Sequence, residues 1–263
     1  RITQGFQYNA YYDRIHNSVT LYAPMYYPIV FENSSTTTLH ALTATTLAHE
    51  ILHAFTETKL VHSSEAFNQE YECYVAHYTT ACDKWGTDEC TSGEQTFEED
   101  APDVEGLRVT FDLLRKVYGK DGLKELEYED LGITREQAFF YAFGMDFCSG
   151  NELDSEDPHS INNVRVNGAV SMMPEFSVAF GCKAGDAEYA DEESTCYLFG
   201  PLSGREREYA GIEEGVQEGE VNEDGSDTNE QTENSDFEEG DNRVIKEEGS
   251  CDSKEQINDC NAE

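Results

Sequence analysis

The chain is short of basic residues and has no long apolar run. Its 263 residues include 17 Lys and Arg against 55 Asp and Glu, which gives a formal net charge of −38 at pH 7. That charge excludes a nucleic-acid binder that works by phosphate neutralisation, and it argues against docking on anionic lipid. Since no apolar run approaches the roughly 18 residues needed to cross a bilayer, we expect no membrane insertion by this chain.

The sequence also lacks any C-x-x-C pair that would indicate a structural zinc site. Its eight cysteines, an even number, are better explained by extracellular disulfides, so we expect a secreted protein. The glycosylation sequon at Asn33 agrees with secretion, although such triplets are common. The chain begins at Arg1 without an initiator Met or a signal-peptide pattern, so we interpret it as a mature product or a piece of a longer protein.

Composition divides the chain into a body and a tail. Apolar residues make up 38% of the sequence, with 14 Phe and 15 Tyr, which is enough to build a substantial core. Residues 204–263 differ because they hold 21 acidic and 5 basic residues and almost no aromatic residues. Such a segment cannot bury enough surface to offset chain entropy. We therefore predict a folded body over 1–203 and a disordered acidic tail over 204–263.

Hydrophobic periodicity gives a coarse secondary structure for the body. Aromatic and β-branched residues alternate with polar ones over 6–31, which predicts extended segments. Helical periodicity and capping signals predict helices over 39–56, 63–81, 101–118, 138–148 and 175–180, with a polar loop over 149–163. The predicted fold class is therefore α+β and mainly α.

The most informative stretch is the H-E-x-x-H motif from His49 to His53. On a helix, the two histidines share one face while neighbouring apolar residues share another. Two imidazoles one turn apart can bind a single Zn²⁺, and Glu50 beside them suits hydrolysis. The alternative is a surface helix that happens to carry two histidines, so the motif alone does not decide the function.

A third ligand would have to come from elsewhere in the chain. Glu99 and Asp103 lie four apart at the start of the most periodic helix, so one could bind zinc while the other accepts a proton from a ligand imidazole. Two histidines, a glutamate and an open position form a hydrolytic zinc site. However, acids also collect at helix N-termini because of the macrodipole. In a chain with 55 acidic residues, that explanation is the better one on these residues alone.

Several short motifs, taken in order, resemble those of one family. They are Asn9 to Tyr12, His49 to Phe55, Glu99 to Asp103 with Gly106-Leu107, Phe139-Phe140, Phe147-Cys148, Asp157 to Ser160, Arg165 to Gly168, Glu175-Phe176, Ala179 to Cys182 and Cys196 to Phe199. Together they resemble the neprilysin and endothelin-converting-enzyme family of zinc metalloendopeptidases over about residues 5–199. The resemblance implies that 1–203 is a thermolysin-like zincin catalytic domain, the C-terminal portion of the family fold, which hydrolyses peptides with one Zn²⁺ per chain.

The resemblance also implies a role for each matching residue. His49, His53 and Glu99 would bind zinc, and Glu50 would polarise the attacking water and carry its proton. A base near the attacking water and a donor to the resulting oxyanion are what peptide hydrolysis requires.

The remaining assignments concern the transition state and the substrate. Asp103 would orient a ligand histidine, and His159 would donate to the oxyanion. Arg165 would bind a substrate carbonyl beyond the cut bond, while Asn9 and Ala10 would hold the peptide backbone. Without the resemblance, His159 is better explained as an exposed loop histidine and Arg165 as a surface ion pair.

The chain departs from the family in three ways. Thr45 and Thr46 stand where larger apolar residues usually line the pocket after the cut bond, which leaves the side-chain preference open. Pro102 replaces a small helix former, so either the helix begins near Glu99 or that ligand shifts. The long N-terminal portion, a mainly helical cap over the active site, is absent from this chain.

The resemblance further implies how the cysteines pair. The resemblance implies that Cys73 pairs with Cys196. The pairing of Cys82 with Cys90 is a separate expectation that the family motifs do not supply. The family partners of Cys148 and Cys182 lie in the absent portion, so these two either pair with each other or stay free.

Two other functions remain open from the sequence. One is a catalytically inactive relative that binds peptides or amines as a secreted scavenger, although such a protein has no physical need to keep Glu50. The other places the function in the acidic tail, which would bind Ca²⁺ or basic proteins. Removing 204–263 separates that function from peptide hydrolysis, which should survive the cut.

Overall fold

The computed structural model describes residues 9–26, 34–57, 64–85, 92–148, 157–191 and 193–199. The acidic tail over 204–263, the sequon at Asn33 and Cys90 lie outside these residues, as do parts of the segments predicted to be extended. The statements below concern the described residues.

The N-terminal part is a hairpin followed by a short 3₁₀ turn. Strand β1 (Ala10–Asp13) pairs antiparallel with β2 (Ser18–Leu21), and Ala10 lies opposite Leu21. The turn between them holds Asn17 at φ 47°, a left-handed conformation that asparagine tolerates well. The 3₁₀ turn spans Ala23–Tyr26. The prediction of extended structure is thus confirmed for both strands.

The H-E-x-x-H motif lies on a helix that changes its winding partway along. It begins as α1 (Thr36–Leu39), continues as a π-helical turn (His40–Ala44) and ends as α2 (Thr45–Leu52). It therefore starts three residues before the predicted helix and ends four residues before its predicted end. Threonine hydroxyls donate to backbone carbonyls four or five residues earlier, which bends or loosens helices. A π-turn of this kind is often found at a functional site.

Two long helices form the centre of the domain. They are α3 (Glu65–Trp85) and α4 (Gly93–Leu123), and Cys73 on α3 forms a disulfide with Cys196, with a Cα–Cα distance of 5.8 Å. Helix α4 begins two turns before Pro102, with Ser92 as its N-cap. The alternative that the helix begins near Glu99 is therefore wrong, and α4 accommodates the proline at a buried internal position.

Two short strands and three helices complete the described chain. They are β3 (Leu126–Tyr128), β4 (Ile133–Thr134), α5 (Arg135–Met145), α6 (Asn162–Val170) and α7 (Pro174–Phe180). The predicted capping box at Thr134 and Gln137 opens α5. Helix α6 was not predicted, and its first residues fall in the predicted loop over 149–163. Its valines, asparagines and glycine are weak helix formers, so tertiary packing stabilises it.

The core lies where α4 packs against α3, α5 and α6, while α6 also contacts α3 directly and α7 packs on α5. Its largest fully buried side chains are Tyr74, Tyr78, Phe97, Phe139, Phe143, Met25, Leu107, Leu114, Met172 and Met173. Helix α6 approaches α3 so closely that a Cβ on Gly168 would lie 2.6 Å from the Tyr78 ring. Only glycine allows that contact. The mainly helical α+β architecture confirms the predicted fold class.

The other cysteines within the described residues are also oxidised. Cys82, Cys148 and Cys182 are each disulfide-bonded, and none of the described cysteines is free. The alternative that Cys148 and Cys182 stay free is therefore wrong, whereas the predicted Cys73–Cys196 pair is confirmed. Among the described helices, none combines the length and the apolar character needed to cross a membrane.

Candidate metal centre

The metal centre is built where α2 packs against α4. The histidine face of α2 is the buried one, whereas Leu47 and Ile51 on its apolar face are 37% and 47% exposed, and Phe55, which follows the end of the helix, is 51% exposed. A Cβ on Gly106 would lie 3.2 Å from the His49 backbone nitrogen. The absence of a side chain there lets the two helices approach closely. The contact brings the side chains of both helices within bonding reach of one metal ion.

Three ligand atoms converge at this contact. Glu99 Oε2 lies 3.3 Å from His49 Nε2 and 3.4 Å from His53 Nε2. Two ligands about 2.0–2.1 Å from a tetrahedral zinc ion are about 3.3–3.4 Å apart. The observed distances therefore fit a single Zn²⁺ shared by two imidazoles and one carboxylate.

Glu50 is close to the same atoms but stands slightly apart. One ligand atom from each of His49, Glu50 and His53 can be chosen so that all three lie within 4.8 Å of one another. Glu50 Oε2 is 3.9 Å from His53 Nε2, whereas Glu99 Oε2 is 3.4 Å away. Glu99 Oε2 therefore lies at the tetrahedral spacing from both rings, as the predicted third ligand should. Burial raises the pKa of Glu50, because loss of solvent disfavours the charged carboxylate.

Asp103 contacts His49 on the side of the ring away from Glu99. Its Oδ1 lies 2.8 Å from His49 Nδ1, which leaves Nε2 to face Glu99. Burial disfavours the charged imidazolium, but the Asp103 carboxylate outweighs burial and raises the pKa of His49 to about 9. A carboxylate behind a ligand histidine fixes the ring and increases its basicity. The geometry suits the role predicted for Asp103.

Arg165 meets Asp103 from the other side. Its Nε and Nη2 donate to the two Asp103 oxygens at 2.7 and 2.9 Å, in a bidentate pair. Although burial opposes ionisation of Asp103, Arg165 and then His49 hold the pKa of that carboxyl well below its ordinary range. The Arg165 guanidinium also lies 4.7 Å from the centre of the Phe147 ring. This arrangement holds Arg165 at the wall of the cleft.

His159 lies on the opposite side of the ligand atoms. Its Nε2 is 3.0 Å from Glu99 Oε2, and its Nδ1 is 2.6 Å from Asp157 Oδ1. Burial would lower the pKa of His159, but the Glu99 carboxylate outweighs burial and raises it. Asp157 therefore holds the ring with Nε2 directed at the metal centre, where it can donate to an oxygen.

His53 is supported less well than His49. Burial lowers the pKa of His53, and its Nδ1 has no hydrogen-bond partner within the described segments. For Glu99, burial opposes ionisation, yet hydrogen bonds from His159 and His49 hold the pKa of its carboxyl well below the ordinary range. Glu99 therefore stays negatively charged and available to a cation.

Two cavities meet at these residues. One, of about 240 Å³, is lined by Asn9, Met25, Ala41, Thr45, Thr46, His49, Glu50, Asp103, Phe143, Asp146, Phe147, His159, Asn162 and Arg165. The other, of about 280 Å³, is lined by Asn9, Ala10, Tyr11, Tyr12, Arg14, His49, Glu50, His53, Glu99 and His159. They share Asn9, His49, Glu50 and His159. The two adjoining cavities make up the cleft beside the candidate metal centre, and strand β1 borders the second of them.

All nine residues predicted for the site therefore lie around this cleft. Ala10 is buried, and its N–H donates to Asn9 Oδ1 at 2.8 Å. Sequence reasoning missed Asp146 and Asn162, which line the first cavity. Neither belongs to a spacing pattern that would have indicated a site. It also assigned no role to Gly106, which permits the α2–α4 contact.

The fold and the residues of the cleft identify the structural class of the domain. A helix that carries H-E-x-x-H and packs against a helix that supplies carboxylates is the arrangement of a zincin-like α+β domain. The family can be stated as well. The model of peptidase family M13 matches residues 9–196, and the chain belongs to that family.

Similar proteins of known sequence come from the neprilysin and endothelin-converting-enzyme group. The chain is 28% identical over 197 residues to neprilysin-3 of Drosophila melanogaster and, over the same length, to endothelin-converting enzyme 1 of Rattus norvegicus. Each match covers 67% of this chain and 25% of the relative. The chain thus spans about a quarter of the length of these proteins.

Solved structures show the same fold. The zinc metalloprotease ZMP1 of Mycobacterium tuberculosis in an open state superposes with a TM-score of 0.60 at 18% identity, covering 73% of this chain and 33% of that one. The Haemonchus galactose-containing glycoprotein complex gives a TM-score of 0.61 at 21% identity, covering 74% and 33%. At these identities the likeness concerns the fold alone.

Proposed function

We propose that this chain is a zinc-dependent metalloendopeptidase that hydrolyses oligopeptides. The observation that carries the proposal is the convergence of Glu99 Oε2 with the Nε2 atoms of His49 and His53, at 3.3 and 3.4 Å. These three residues would hold one Zn²⁺ per chain. When bound, the metal supplies Lewis-acid polarisation of the substrate carbonyl and a lowered pKa for water.

The protein's own residues would handle the protons. Glu50 lies beside the ligands, at 3.9 Å from His53 Nε2, where it would accept a proton from the attacking water and pass it to the leaving amine. Burial raises the pKa of Glu50, which brings the base closer to the pH at which such an exchange is efficient. His159, held by Asp157, would donate from Nε2 to the oxyanion of the tetrahedral intermediate.

Two groups would position the peptide. Asn9 lines both cavities, and Ala10 follows it on the strand that borders the second one. Because the Ala10 N–H already donates to Asn9 Oδ1, the Asn9 amide nitrogen and the Ala10 carbonyl would hold the substrate backbone. Arg165 uses two nitrogens for Asp103, and within the described residues no hydrogen bond occupies its Nη1. That nitrogen would bind a substrate carbonyl in the first cavity.

The oxidised cysteines support an extracellular location, since disulfides persist in oxidising compartments. In a longer parent protein, an N-terminal cap of the kind the family carries would restrict access to the cleft. Peptide size would then depend on that cap. The hydrolysis itself would depend only on the residues of the cleft.

The test compares the chain with Glu50→Gln. Zinc content and cleavage of a quenched peptide library are measured for both, with Glu129→Gln as a control that makes the same change at an exposed site remote from the cleft. We expect Glu50→Gln to keep one zinc per chain and to lose activity by roughly 10²–10⁴-fold, and Glu129→Gln to keep both.

Two outcomes would contradict the proposal. If the unaltered chain binds one zinc per chain but cuts no peptide, it acts instead as an inactive, peptide-binding relative. If it binds no zinc, both functions fail.

A further inference from the structure

The first cavity carries a negative charge that the proposed mechanism does not use. Asp146 lines its wall and is exposed at its mouth. In the described part of the chain, no hydrogen bond or ion pair engages its carboxylate, and its charged neighbours, Arg165 and Asp103, act only at longer range. Partial desolvation raises the pKa of Asp146, as expected for an acid without a partner.

The other charges of the cavity are compensated. Asp103 and Arg165 neutralise each other through their bidentate pair. Glu50, His49 and His159 adjoin the candidate metal centre, where a bound metal ion would offset Glu50 and where Glu99 faces both histidines. The cavity wall therefore has one uncompensated charge, that of Asp146.

The backbone adds to this negative potential. Asp146 is the C-cap of α5, an 11-residue helix whose last carbonyls point toward that end. A helix C-terminus carries about half a negative charge and favours a cation, so an acid in this position is unfavourable by itself. A carboxylate kept there without a basic partner is explained if the partner is the substrate.

The remaining walls suit a long side chain with a charged end. Phe143 and Phe147 give the cavity apolar surface on which methylene groups can pack. The Thr45 hydroxyl is already hydrogen-bonded to Thr110 and to the His40 carbonyl, so it needs no hydrogen bond from a ligand. Arg165, which also lines the cavity, makes its bidentate pair with Asp103 and forms no ion pair with Asp146, on which it acts only at longer range.

We propose that this cavity takes the side chain of a lysine or arginine that adjoins the cut bond, with Asp146 as its charged partner. The inference rests on the proposed function, because the cleft lies beside the candidate metal centre, where that bond would lie. It makes Asp146 a specificity-determining residue.

The test uses two sets of quenched peptides that differ only in the residues flanking a single cleavable bond. Each flank carries in turn Lys, Arg, Leu or Glu. For the unaltered chain we expect kcat/KM to be roughly tenfold or more higher for Lys or Arg than for Leu on one flank. Asp146→Asn should remove that preference, and Asp146→Lys should favour Glu at the same flank. Asp130→Asn, an exposed acid remote from the cleft, should leave the preference unchanged.

A binding measurement separates this inference from the proposed function. Affinity of the zinc-loaded Glu50→Gln chain for Lys and Leu peptides is compared with that of Glu50→Gln with Asp146→Asn. A lysine preference that the second substitution removes supports the inference even if no peptide is cut. If peptides are cut with equal or better rates for Leu and Asp146→Asn changes nothing, the inference is wrong while the proposed function stands.

Discussion

Two clusters of buried charge lie two residues apart on α4 and differ in what surrounds them. The histidine cluster consists of His49, His53, Glu99 and Asp103. The Glu105 cluster consists of Tyr74, Glu105 and Arg108. Asp103 and Glu105 are both almost fully buried, and each forms an ion pair with an arginine.

The Glu105 cluster is closed. Glu105 Oε1 accepts from Tyr74 Oη at 2.7 Å, Arg108 Nη1 at 2.8 Å and the Leu198 N–H at 2.8 Å. Arg108 Nη2 donates to the Met172 carbonyl at 2.8 Å. These contacts tie α3, α4 and the segment after the Cys73–Cys196 disulfide together, and neither of the two cleft cavities reaches them.

The histidine cluster is open on one side. Asp103 is paired with Arg165, but the ligand atoms of His49, His53 and Glu99 face one another beside the cleft. Glu99 Oε2 lies 3.3 and 3.4 Å from the two histidine Nε2 atoms, which is longer than an ordinary hydrogen bond. Buried charge therefore does not distinguish a functional site from a structural one. The distinguishing feature is a set of ligand atoms that converge on one point next to a cavity.

The largest effect that we expect from altering one of the two clusters is on folding stability. Glu105→Gln would keep an acceptor oxygen but leave the Arg108 charge buried without a carboxylate. Breaking a buried ion pair on one side typically costs about 3–5 kcal/mol. We expect the free energy of unfolding in urea to fall by about that amount, while the zinc affinity of the folded chain stays the same. A loss of zinc affinity in this variant would show that the two clusters act as one unit.

The second prediction makes the same chemical change in the histidine cluster. Asp103→Asn would still offer an oxygen to His49 Nδ1 but would remove the charge that makes the ring basic. Substituting a residue that supports a metal ligand typically costs 10–100-fold in affinity. We expect that loss of zinc affinity, measured by competition with a chelator under conditions where circular dichroism shows the chain to be folded.

The matched control for Asp103→Asn is Glu105→Gln, which lies on the same helix and loses the same charge. Asp103→Asn is also expected to destabilise the fold, since Arg165 loses its bidentate partner. Unaltered zinc affinity in Asp103→Asn would contradict the role of Asp103 as the residue that orients His49.

The comparison also shows which parts of the site a sequence can disclose. The spacing of His49 and His53 is set by one turn of helix, so a local pattern is enough to place both on one face. No local rule selects Glu99 from 55 acidic residues, and only the resemblance to a family did so. Asp146 is a single acid at the end of an apolar helix, and its meaning depends on the cavity that folding creates beside it.

The helices, like the site residues, could be predicted only where the sequence carries a local signal. Helix α5 carries its own start signal, the capping box at Thr134, and begins directly after it, so that it starts and ends three residues before the predicted bounds of 138 and 148. Helix α6 has no such signal, and its β-branched residues and glycine favour other conformations. It is helical because Gly168 and its neighbours pack against α3, a contact that only the assembled domain provides.

The smallest expected effect is a pH dependence that only the histidine cluster should show. The Asp103 carboxylate outweighs the effect of burial and raises the pKa of His49 to about 9 in the metal-free chain. Between about pH 6 and 8 the ring is therefore protonated, and zinc must displace that proton to bind Nε2. We expect zinc affinity to rise about tenfold per pH unit over this range.

Folding stability without zinc should change with pH in the direction opposite to zinc affinity. A raised pKa means that the interaction of His49 with Asp103 contributes fully below the ordinary pKa of about 6.5 and is lost as pH rises through about 9. The metal-free chain should therefore lose stability between pH 6.5 and 9, while the zinc-loaded chain gains it.

Chelator competition at pH 6, 7 and 8, with calorimetry in two buffers to count the released proton, measures the change in zinc affinity. Urea unfolding with and without zinc measures the change in stability. Since the Glu105 cluster contains no histidine, Glu105→Gln should retain both pH dependences, whereas Asp103→Asn should shift them to lower pH. Zinc affinity that is constant across the range would mean that His49 binds the metal without giving up a proton, which contradicts the part assigned to Asp103.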